Sequence, residues 1–236
     1  MLSYSNRQKW LVFNPMNPKN ADLYYNLGLV FHQQGDLEAA AAEYKKAIEI
    51  DPQHFDAYYC LGNIYTEQGD FKTAEIFYRT AIQINPRDAG VHYNLGLVYH
   101  NLGDFKMAED AYKRAIQINP KDAGAYYNLG VIYHSQEDFE AAVTEYKKAI
   151  QINPEYALIY YNLALTYVLK NEAVLSVESL QTAMNLDEET IANARLDSGF
   201  DRIRENPEFQ DFIKFKVQEI NGTLHRNGYS IKYQND

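Results

Sequence analysis

The sequence is poor in several features that mark particular classes of protein. It contains a single cysteine, Cys60, so it offers neither an intramolecular disulfide nor a cysteine-rich zinc site. No apolar stretch approaches the roughly 20 residues that a membrane-spanning helix needs. Residues 1–15 also lack the apolar stretch of about 7–15 residues that a secretory signal requires. We therefore expect a cytoplasmic protein without stable membrane insertion.

Basic residues and catalytic motifs are scarce as well. Lys and Arg number 22 against 32 Asp and Glu, which gives a formal net charge of −10. Because nucleic-acid binding needs a basic patch or stripe against the phosphates, this balance argues against a nucleic-acid partner. The chain has no glycine-rich phosphate loop, no Gly-x-Ser-x-Gly and no His-Glu-x-x-His. We predict a protein that is not an enzyme and has no cofactor.

What the sequence does have is a repeat of 34 residues. A segment that reads Tyr-Tyr-Asn-Leu-Gly, with one change in two of its copies, ends at Gly28, Gly62, Gly96 and Gly130. Five prolines keep the same interval, at Pro18, Pro52, Pro86, Pro120 and Pro154. A period of this length indicates supersecondary units that stack on their neighbours and present a long surface rather than a buried pocket. The sequence therefore favours a binding protein.

Each repeat is predicted to be a pair of helices. In residues 89–122, Val91, Leu95 and Val98 have the spacing of an amphipathic helix. Gly103-Asp104 predicts a tight turn, because Gly closes one helix and Asp caps the next. The second helix is expected to stop before Pro120, since proline cannot continue it.

Small and aromatic residues also recur in register along the second helices. Alanine occupies two rows, and tyrosine is expected to fill the space beside the alanines. The residues are Ala40, Ala74, Ala108 and Ala142; Ala47, Ala81, Ala115, Ala149 and Ala183; and Tyr44, Tyr78, Tyr112 and Tyr146. Small side chains at fixed positions indicate places where two helices cross closely.

This order of residues, an aromatic, Leu-Gly, a second aromatic, Ala, a third aromatic and Pro, resembles the tetratricopeptide repeat (TPR) family, and in particular its bacterial repeat-only members. The resemblance implies an all-α fold, a right-handed superhelical α-solenoid of antiparallel helix pairs. Ala164 departs from the pattern in place of glycine, Glu137 and Asn171 replace the turn glycine, and Glu188 replaces proline.

The repeat pattern predicts how the chain is organised. We expect a partial helix or cap at the N-terminus, five repeats, two C-terminal capping helices and a mobile tail. For the C-terminal helices, docking of a partner is the alternative to capping. The ranges are 1–20 for the partial helix, 21–54, 55–88, 89–122, 123–156 and 157–190 for the repeats (21–190 in all), 191–221 for the capping helices and 222–236 for the tail.

In proteins that resemble this family, the first helix of each pair lines a concave groove. Carried over by register, the residues that would line the peptide-binding groove here are Tyr25, Asn26, Tyr59, Asn63, Tyr93, Asn94, His100, Tyr127, Asn128, His134, Tyr161 and Asn162. An asparagine amide offers both a donor and an acceptor, so a ladder of them can pair with the peptide groups of an extended segment. Tyrosine rings add apolar contact area. The alternative is that these side chains serve packing between repeats.

Two other kinds of site are disfavoured by the residues in these registers. TPR adaptors that clamp a terminal carboxylate use Lys or Arg beside Asn on this face, whereas the equivalent registers here hold Asp, Gly and Tyr. His32, His100 and His134 share a register, but neighbouring helices lie roughly 10 Å apart, too far for all three to ligate one metal. We therefore predict neither a carboxylate clamp nor a metal site.

These observations together predict a non-catalytic adaptor or assembly factor. It would hold an extended segment of a partner protein in its groove. The alternative is a structural repeat protein that associates with itself, so homo-oligomerisation remains open. Because repeat-only proteins of this kind are frequent in bacteria, we expect a bacterial cytoplasmic protein.

Overall fold

A computed structural model describes residues 20–187 and 197–214. Residues 1–19, 188–196 and 215–236 lie outside this description, and with them nearly all of the predicted N-terminal partial helix and the whole predicted tail. The chain divides into two compact units, Met1–Ile118 and Asn119–Asp236, which we call the N-terminal and C-terminal units. Across the described residues the backbone forms helices and turns, with no strand.

Each unit is an all-α solenoid of helix pairs stacked in chain order, as the sequence predicts. The described part of the N-terminal unit contains α1 (Ala21–Gln33), α2 (Leu37–Ile50), α3 (Phe55–Glu67), α4 (Phe71–Ile84), α5 (Ala89–Asn101) and α6 (Phe105–Ile118). That of the C-terminal unit contains α7 (Ala123–Ser135), α8 (Phe139–Ile152), α9 (Ala157–Leu169), α10 (Ala173–Leu186), a 3-10 helix (Ser198–Ile203) and a helical segment at 207–214. We call α1, α3, α5, α7 and α9 the first helices, and their partners the second helices.

Side-chain caps explain where the second helices begin and end. Asp36, Asp70 and Asp138 are N-caps whose carboxylates accept the backbone N–H three residues on, at 3.0–3.1 Å. This bond satisfies one of the amides that a helix start leaves without a partner. At the other end, Asn85 and Asn153 accept the N–H two residues on, which turns the chain at the proline that follows.

Within each of the first four repeats, a glycine of the first helix lies against a tyrosine of the second. A Cβ atom built on Gly96 would stand 2.6 Å from Cε1 of Tyr112, and one on Gly62 only 2.4 Å from Cε1 of Tyr78. Real Cβ atoms do not approach other atoms so closely, so a residue larger than glycine would require the tyrosine ring or one of the helices to shift. The same contact joins Gly28 to Tyr44 and Gly130 to Tyr146.

The predicted tyrosine row is buried, and the predicted alanine rows accompany it. Tyr44, Tyr78, Tyr112 and Tyr146 are at most 1% exposed. The alanines of both rows are fully buried, so the prediction of close helix crossings is confirmed. The sequence interpretation placed the tyrosines beside the alanines and missed the glycine that each ring covers.

The fifth repeat replaces both members of the glycine–tyrosine pair. Ala164 stands where the other repeats have glycine, and Leu180 stands where they have tyrosine; both are fully buried. In addition, the Ser176 hydroxyl donates to the Ala164 carbonyl oxygen at 2.9 Å. The extra methyl group of Ala164 is therefore matched by a smaller, more flexible side chain opposite it.

The turn between the two helices of a repeat uses the left-handed backbone region. Gly35, Gly69 and Gly103 have φ of 75–79°, which glycine adopts without steric cost. The fourth and fifth repeats keep this geometry with other residues, Glu137 at φ 62° and Asn171 at φ 61°. The same pair of backbone hydrogen bonds closes the turn, from Glu137 N–H to the His134 carbonyl oxygen and from Asp138 N–H to that of Tyr133.

The described C-terminal segment, 197–214, packs its apolar side chains on the last helix pair. Phe200, Ile203, Phe209 and Phe212 are buried in one cluster with residues of α9 and α10. The sequence interpretation proposed helices here, and residues 198–203 form a 3-10 helix. That the segment caps the array stays a prediction, with docking of a partner as the alternative.

The glycine–tyrosine contact predicts a specific rescue. Gly96→Ala should lower the free energy of unfolding, because overpacking costs about 1–3 kcal/mol and the better helix propensity of alanine offsets only about 1 kcal/mol of it. Tyr112→Leu in the same chain would recreate the Ala164–Leu180 pair. We expect the double variant to be more stable than the sum of the two single effects by at least about 0.5 kcal/mol. Urea unfolding of the three variants measures this. Strictly additive effects would show that the contact between residues 96 and 112 does not limit the packing of the two helices.

The left-handed turn predicts a gain in stability. Glu137→Gly should raise the free energy of unfolding by about 1 kcal/mol, since a side chain at this backbone geometry is strained. Asn171→Gly is the matched control and should gain less, because asparagine tolerates the left-handed region. Urea unfolding compares the two. A loss of stability in Glu137→Gly would mean that the glutamate side chain contributes more than its strained backbone costs.

Candidate functional site

The tyrosines of the first helices are fixed by the buried tyrosines beneath them. In the N-terminal unit, the rings of Tyr25, Tyr59 and Tyr93 are half-buried. Their centroids lie 5.8, 6.1 and 5.9 Å from the buried tyrosine ring of the same repeat. These distances are typical of favourable aromatic pairs. Burial raises the pKa of Tyr25 to about 12, so its hydroxyl stays protonated at neutral pH.

The C-terminal unit repeats this arrangement once and then varies it. Tyr127 lies 6.0 Å from Tyr146 between ring centroids. In the fifth repeat, where Leu180 has replaced the buried tyrosine, the ring of Tyr161 packs against Phe200 at 5.6 Å instead. The Tyr161 hydroxyl also donates to Oδ2 of Asp197. The segment after α10 thus supports the tyrosine of the last first helix in place of a second-helix aromatic residue.

In the N-terminal unit, predicted asparagines form a hydrogen-bonded link between repeats. Nδ2 of Asn94 donates to the Tyr59 hydroxyl at 3.1 Å and to Oδ1 of Asn63 at 3.0 Å. The Tyr78 hydroxyl donates to the same Oδ1 at 2.7 Å. Asn63 is therefore an acceptor shared by the buried tyrosine of its own repeat and by the next first helix.

The same register makes an equivalent link in the C-terminal unit. Nδ2 of Asn162 donates to the Tyr127 hydroxyl at 3.1 Å and to the Leu158 carbonyl oxygen at 3.0 Å. Asn128 is 9% exposed, whereas Asn26 in the first repeat is exposed. The Nδ2 donors of Asn94 and Asn162 thus serve packing between repeats, the alternative left open above. A direct contact of the ladder with a ligand stays a prediction.

Burial favours the neutral form of the two histidines that were predicted to line the groove. Burial lowers the pKa of His100 and of His134. Nδ1 of His134 lies 2.8 Å from Oγ1 of Thr166, whose hydroxyl donates to the Asn162 carbonyl oxygen. Since that hydroxyl has one proton, Nδ1–H of His134 is the donor toward Thr166. In residues 20–187 and 197–214, no three His, Cys, Asp or Glu side chains form a group that could hold a metal ion.

Charge is divided between the two kinds of helix. The five first helices contain no Lys or Arg, and their acids are Asp22, Asp56 and Glu67, all in the first two repeats. The second helices α2, α4, α6 and α8 carry cations, and four of these pair with a glutamate of the same helix: Lys46 with Glu43, Arg79 with Glu75, Lys113 with Glu109 and Lys148 with Glu145, at 2.5–3.2 Å between N and O. The first-helix face is therefore neutral to acidic, and the other face is salt-bridged.

Asp197 is the site residue that the sequence interpretation missed. It lies beyond the last repeat, so no recurring spacing marks it. Its contact with Tyr161 arises because the segment after α10 packs against the N-terminal half of α9. No local pattern in the sequence could have indicated this pairing.

Comparison with known families identifies the family to which the chain belongs. The family model of the C-terminal domain of cilia and flagella-associated protein 70, a TPR domain, matches residues 15–202. The chain belongs to this TPR family. TPR arrays are protein-interaction scaffolds, so the protein is an interaction repeat protein. A comparison with curated proteins gives no match.

Solved structures support the same fold. YrrB, described as a TPR protein with an unusual peptide-binding site, is 26% identical with a TM-score of 0.67, over 76% of this chain and 94% of that one. MamA is 28% identical with a TM-score of 0.68, over 77% and 98% of the two chains. PilF of Pseudomonas aeruginosa, at 21% identity, a TM-score of 0.68 and coverage of 86% and 91%, shows the fold alone. Among the described helices, none is long and apolar enough to cross a membrane.

The asparagine link predicts a stability difference between two residues of one register. Asn94→Ala should lower the free energy of unfolding, because hydrogen bonds worth about 0.5–1.5 kcal/mol each are lost and Asn63 loses one of its donors. Asn26→Ala is the matched control, since Asn26 is exposed and makes no side-chain hydrogen bond among the described residues. Urea unfolding should separate the two variants by about 1 kcal/mol or more. Equal stabilities would mean that the link contributes nothing.

Proposed function

We propose that the first-helix face binds an extended segment of a partner protein, and that the protein is a non-catalytic adaptor or assembly factor. Its contacts in the N-terminal unit would come from Tyr25, Tyr59, Tyr93 and His100. In the C-terminal unit they would come from Tyr127, His134 and Tyr161. Asn26 and the Oδ1 atoms of Asn94 and Asn162 would supply hydrogen bonds to the peptide backbone.

The observation that carries this proposal is the row of half-buried tyrosines, each fixed by an aromatic ring beneath it. Tyrosine contributes a large contact area with only two side-chain torsions, so ordering it on binding costs little entropy. Here that cost is lower still, because packing already restricts each ring. Fixed aromatic side chains that retain partial exposure are typical of the residues that dominate binding energy.

The hydrogen-bonding groups of this face favour a peptide backbone as the ligand. With the Nδ2 atoms of Asn94 and Asn162 engaged within the protein, their Oδ1 atoms are acceptors for backbone N–H groups. The absence of Lys and Arg from the first helices disfavours a terminal carboxylate as the anchor of the ligand. YrrB, for which a peptide-binding site is described, supports a peptide as the class of ligand.

Self-association is the second candidate, and one observation favours it. In α1, Leu27 and Val30 are 39% and 46% exposed, whereas Leu61 and Ile64 in the same registers of α3 are fully buried. In α3 that face is covered by the preceding repeat. The corresponding face of α1 is exposed at Leu27 and Val30, and a second copy would dock there.

Site-specific crosslinking tests the proposed function. A photoreactive benzophenone amino acid would replace Tyr93 on the first-helix face or, as the matched control, Lys113 on the neighbouring second helix. In cells that make the protein, we expect crosslinks to a partner from position 93 and few from position 113. A peptide from the crosslinked region should then bind the Tyr93→Ala variant about tenfold more weakly than the Lys113→Ala variant by calorimetry, the effect of losing about 1.4 kcal/mol.

Two results would contradict the proposal. Crosslinks that arise equally from both positions would move the binding site away from the first-helix face. Crosslinks from position 93 only to a second copy of the chain would establish self-association instead.

A further inference from the structure

Two exposed apolar residues of the N-terminal unit stand in registers where the other repeats have alanine or a polar residue. Ile76 in α4 is 64% exposed, and Leu102, which follows α5, is 38% exposed. The register of Ile76 holds Ala42, Asp110, Thr144 and Glu178 in the other repeats, and that of Leu102 holds Gln34, Gln68, Gln136 and Lys170. The repeats thus act as controls for one another, and they show that the fold does not need a large apolar residue at either position.

These two exceptional residues share one depression. Ile76 and Leu102 line an open concavity of about 540 Å³, together with Lys72, Arg79 and neighbouring polar residues of α4. The depression lies within the N-terminal unit and away from the tyrosine row, because its walls come from a second helix and from the turn after α5. An exposed apolar floor with a polar rim is the usual anatomy of a protein interaction site.

The charges at the rim indicate the chemistry of the partner. Glu75, the one acid that lines the depression, is already engaged within the protein. Its Oε1 accepts from Arg79 at 3.2 Å and from the Tyr99 hydroxyl at 3.2 Å. Lys72 is exposed, and the Arg79 side chain remains 64% exposed despite its pair with Glu75. The rim therefore offers more positive than negative charge, in a protein with a net charge of −10.

We propose that this depression is a second partner site, on the opposite kind of helix from the proposed groove. It binds a segment that presents one apolar side chain flanked by carboxylates. The apolar side chain contacts Ile76 and Leu102, and the carboxylates pair with Lys72 and Arg79. The protein could then hold one partner on the first-helix face and a second, acidic partner on α4.

The repeats provide substitutions that test this site without disturbing the fold. Ile76→Thr and Leu102→Gln introduce residues that the chain itself uses in the same registers, at Thr144 and at Gln68 and Gln136. Met107→Thr is the matched control. Met107 is 41% exposed, does not line the depression, and has Thr73 in its register.

The probe is a synthetic helical peptide with a single Phe between two Glu residues, placed one helical turn to either side of it. Titration into the full-length ¹⁵N-labelled protein should shift the amide signals of residues 72–83 and 102. We expect the Ile76→Thr/Leu102→Gln variant to bind about tenfold more weakly, equivalent to about 1.4 kcal/mol. Met107→Thr should bind like the wild type. A probe with Lys in place of both Glu residues should bind more weakly than the original, and added salt should reduce that difference.

Several outcomes would overturn the proposal. They are shifts confined to the first-helix face, no shifts at millimolar probe, equal loss of affinity in the Met107→Thr control, or equal affinity for the Lys probe. Sedimentation velocity tests whether a second copy of the chain occupies the depression. If the wild type self-associates and the Ile76→Thr/Leu102→Gln variant does not, the depression binds a second copy of the chain rather than an acidic partner. A Tyr93→Ala variant should bind the probe normally, so failure of the groove and failure of this site are distinguishable.

Discussion

The contact between a glycine of the first helix and a tyrosine ring of the second is the constraint on which the rest of the structure depends. The ring occupies the place where a Cβ atom would stand, so the glycine allows the two helices to approach this closely. The tyrosine, buried by this approach, supports the half-exposed tyrosine of the first helix. In the second repeat it also donates to Asn63, which accepts from Asn94 of the next repeat. In the second repeat, Gly62 thus influences the packing within the repeat and, through two hydrogen bonds, the link to the following one.

The fifth repeat shows that this constraint belongs to the pair and not to either residue. Where Ala164 replaces glycine, Leu180 replaces tyrosine, and the ring that supports Tyr161 comes from Phe200 in the segment after α10. The first-helix tyrosine is therefore kept, although the residues beneath it are different. That the support is rebuilt with unrelated residues is consistent with a role for the exposed side of the row beyond packing.

Most of the fold could be predicted from the sequence, because a 34-residue period imposes the same helix pair several times over. The glycine, alanine and proline registers marked the crossings and turns without any knowledge of tertiary contacts. The candidate site was harder to predict, since a register shows which residues share a face but not which of their atoms are already engaged. Asn94 and Asn26 are equivalent in the sequence, yet of the two only Asn94 has a tyrosine and an asparagine of a preceding repeat within reach among the described residues. Asp197 and the Ile76–Leu102 depression could not be inferred from the repeat because both depart from it.

Departures from a repeat are informative for a physical reason. A position that packs identically in every repeat is under the same steric constraint each time, so a change there must be compensated nearby, as at Ala164 and Leu180. A change at an exposed position needs no such compensation, and nothing in the packing accounts for it. Ile76 and Leu102 stay 64% and 38% exposed, so a partner that covered them would gain part of the roughly 1.5–3 kcal/mol that full burial of an aliphatic side chain is worth. The comparison of registers that separates packing from the proposed recognition on the first helices therefore also supports the proposed second site on α4.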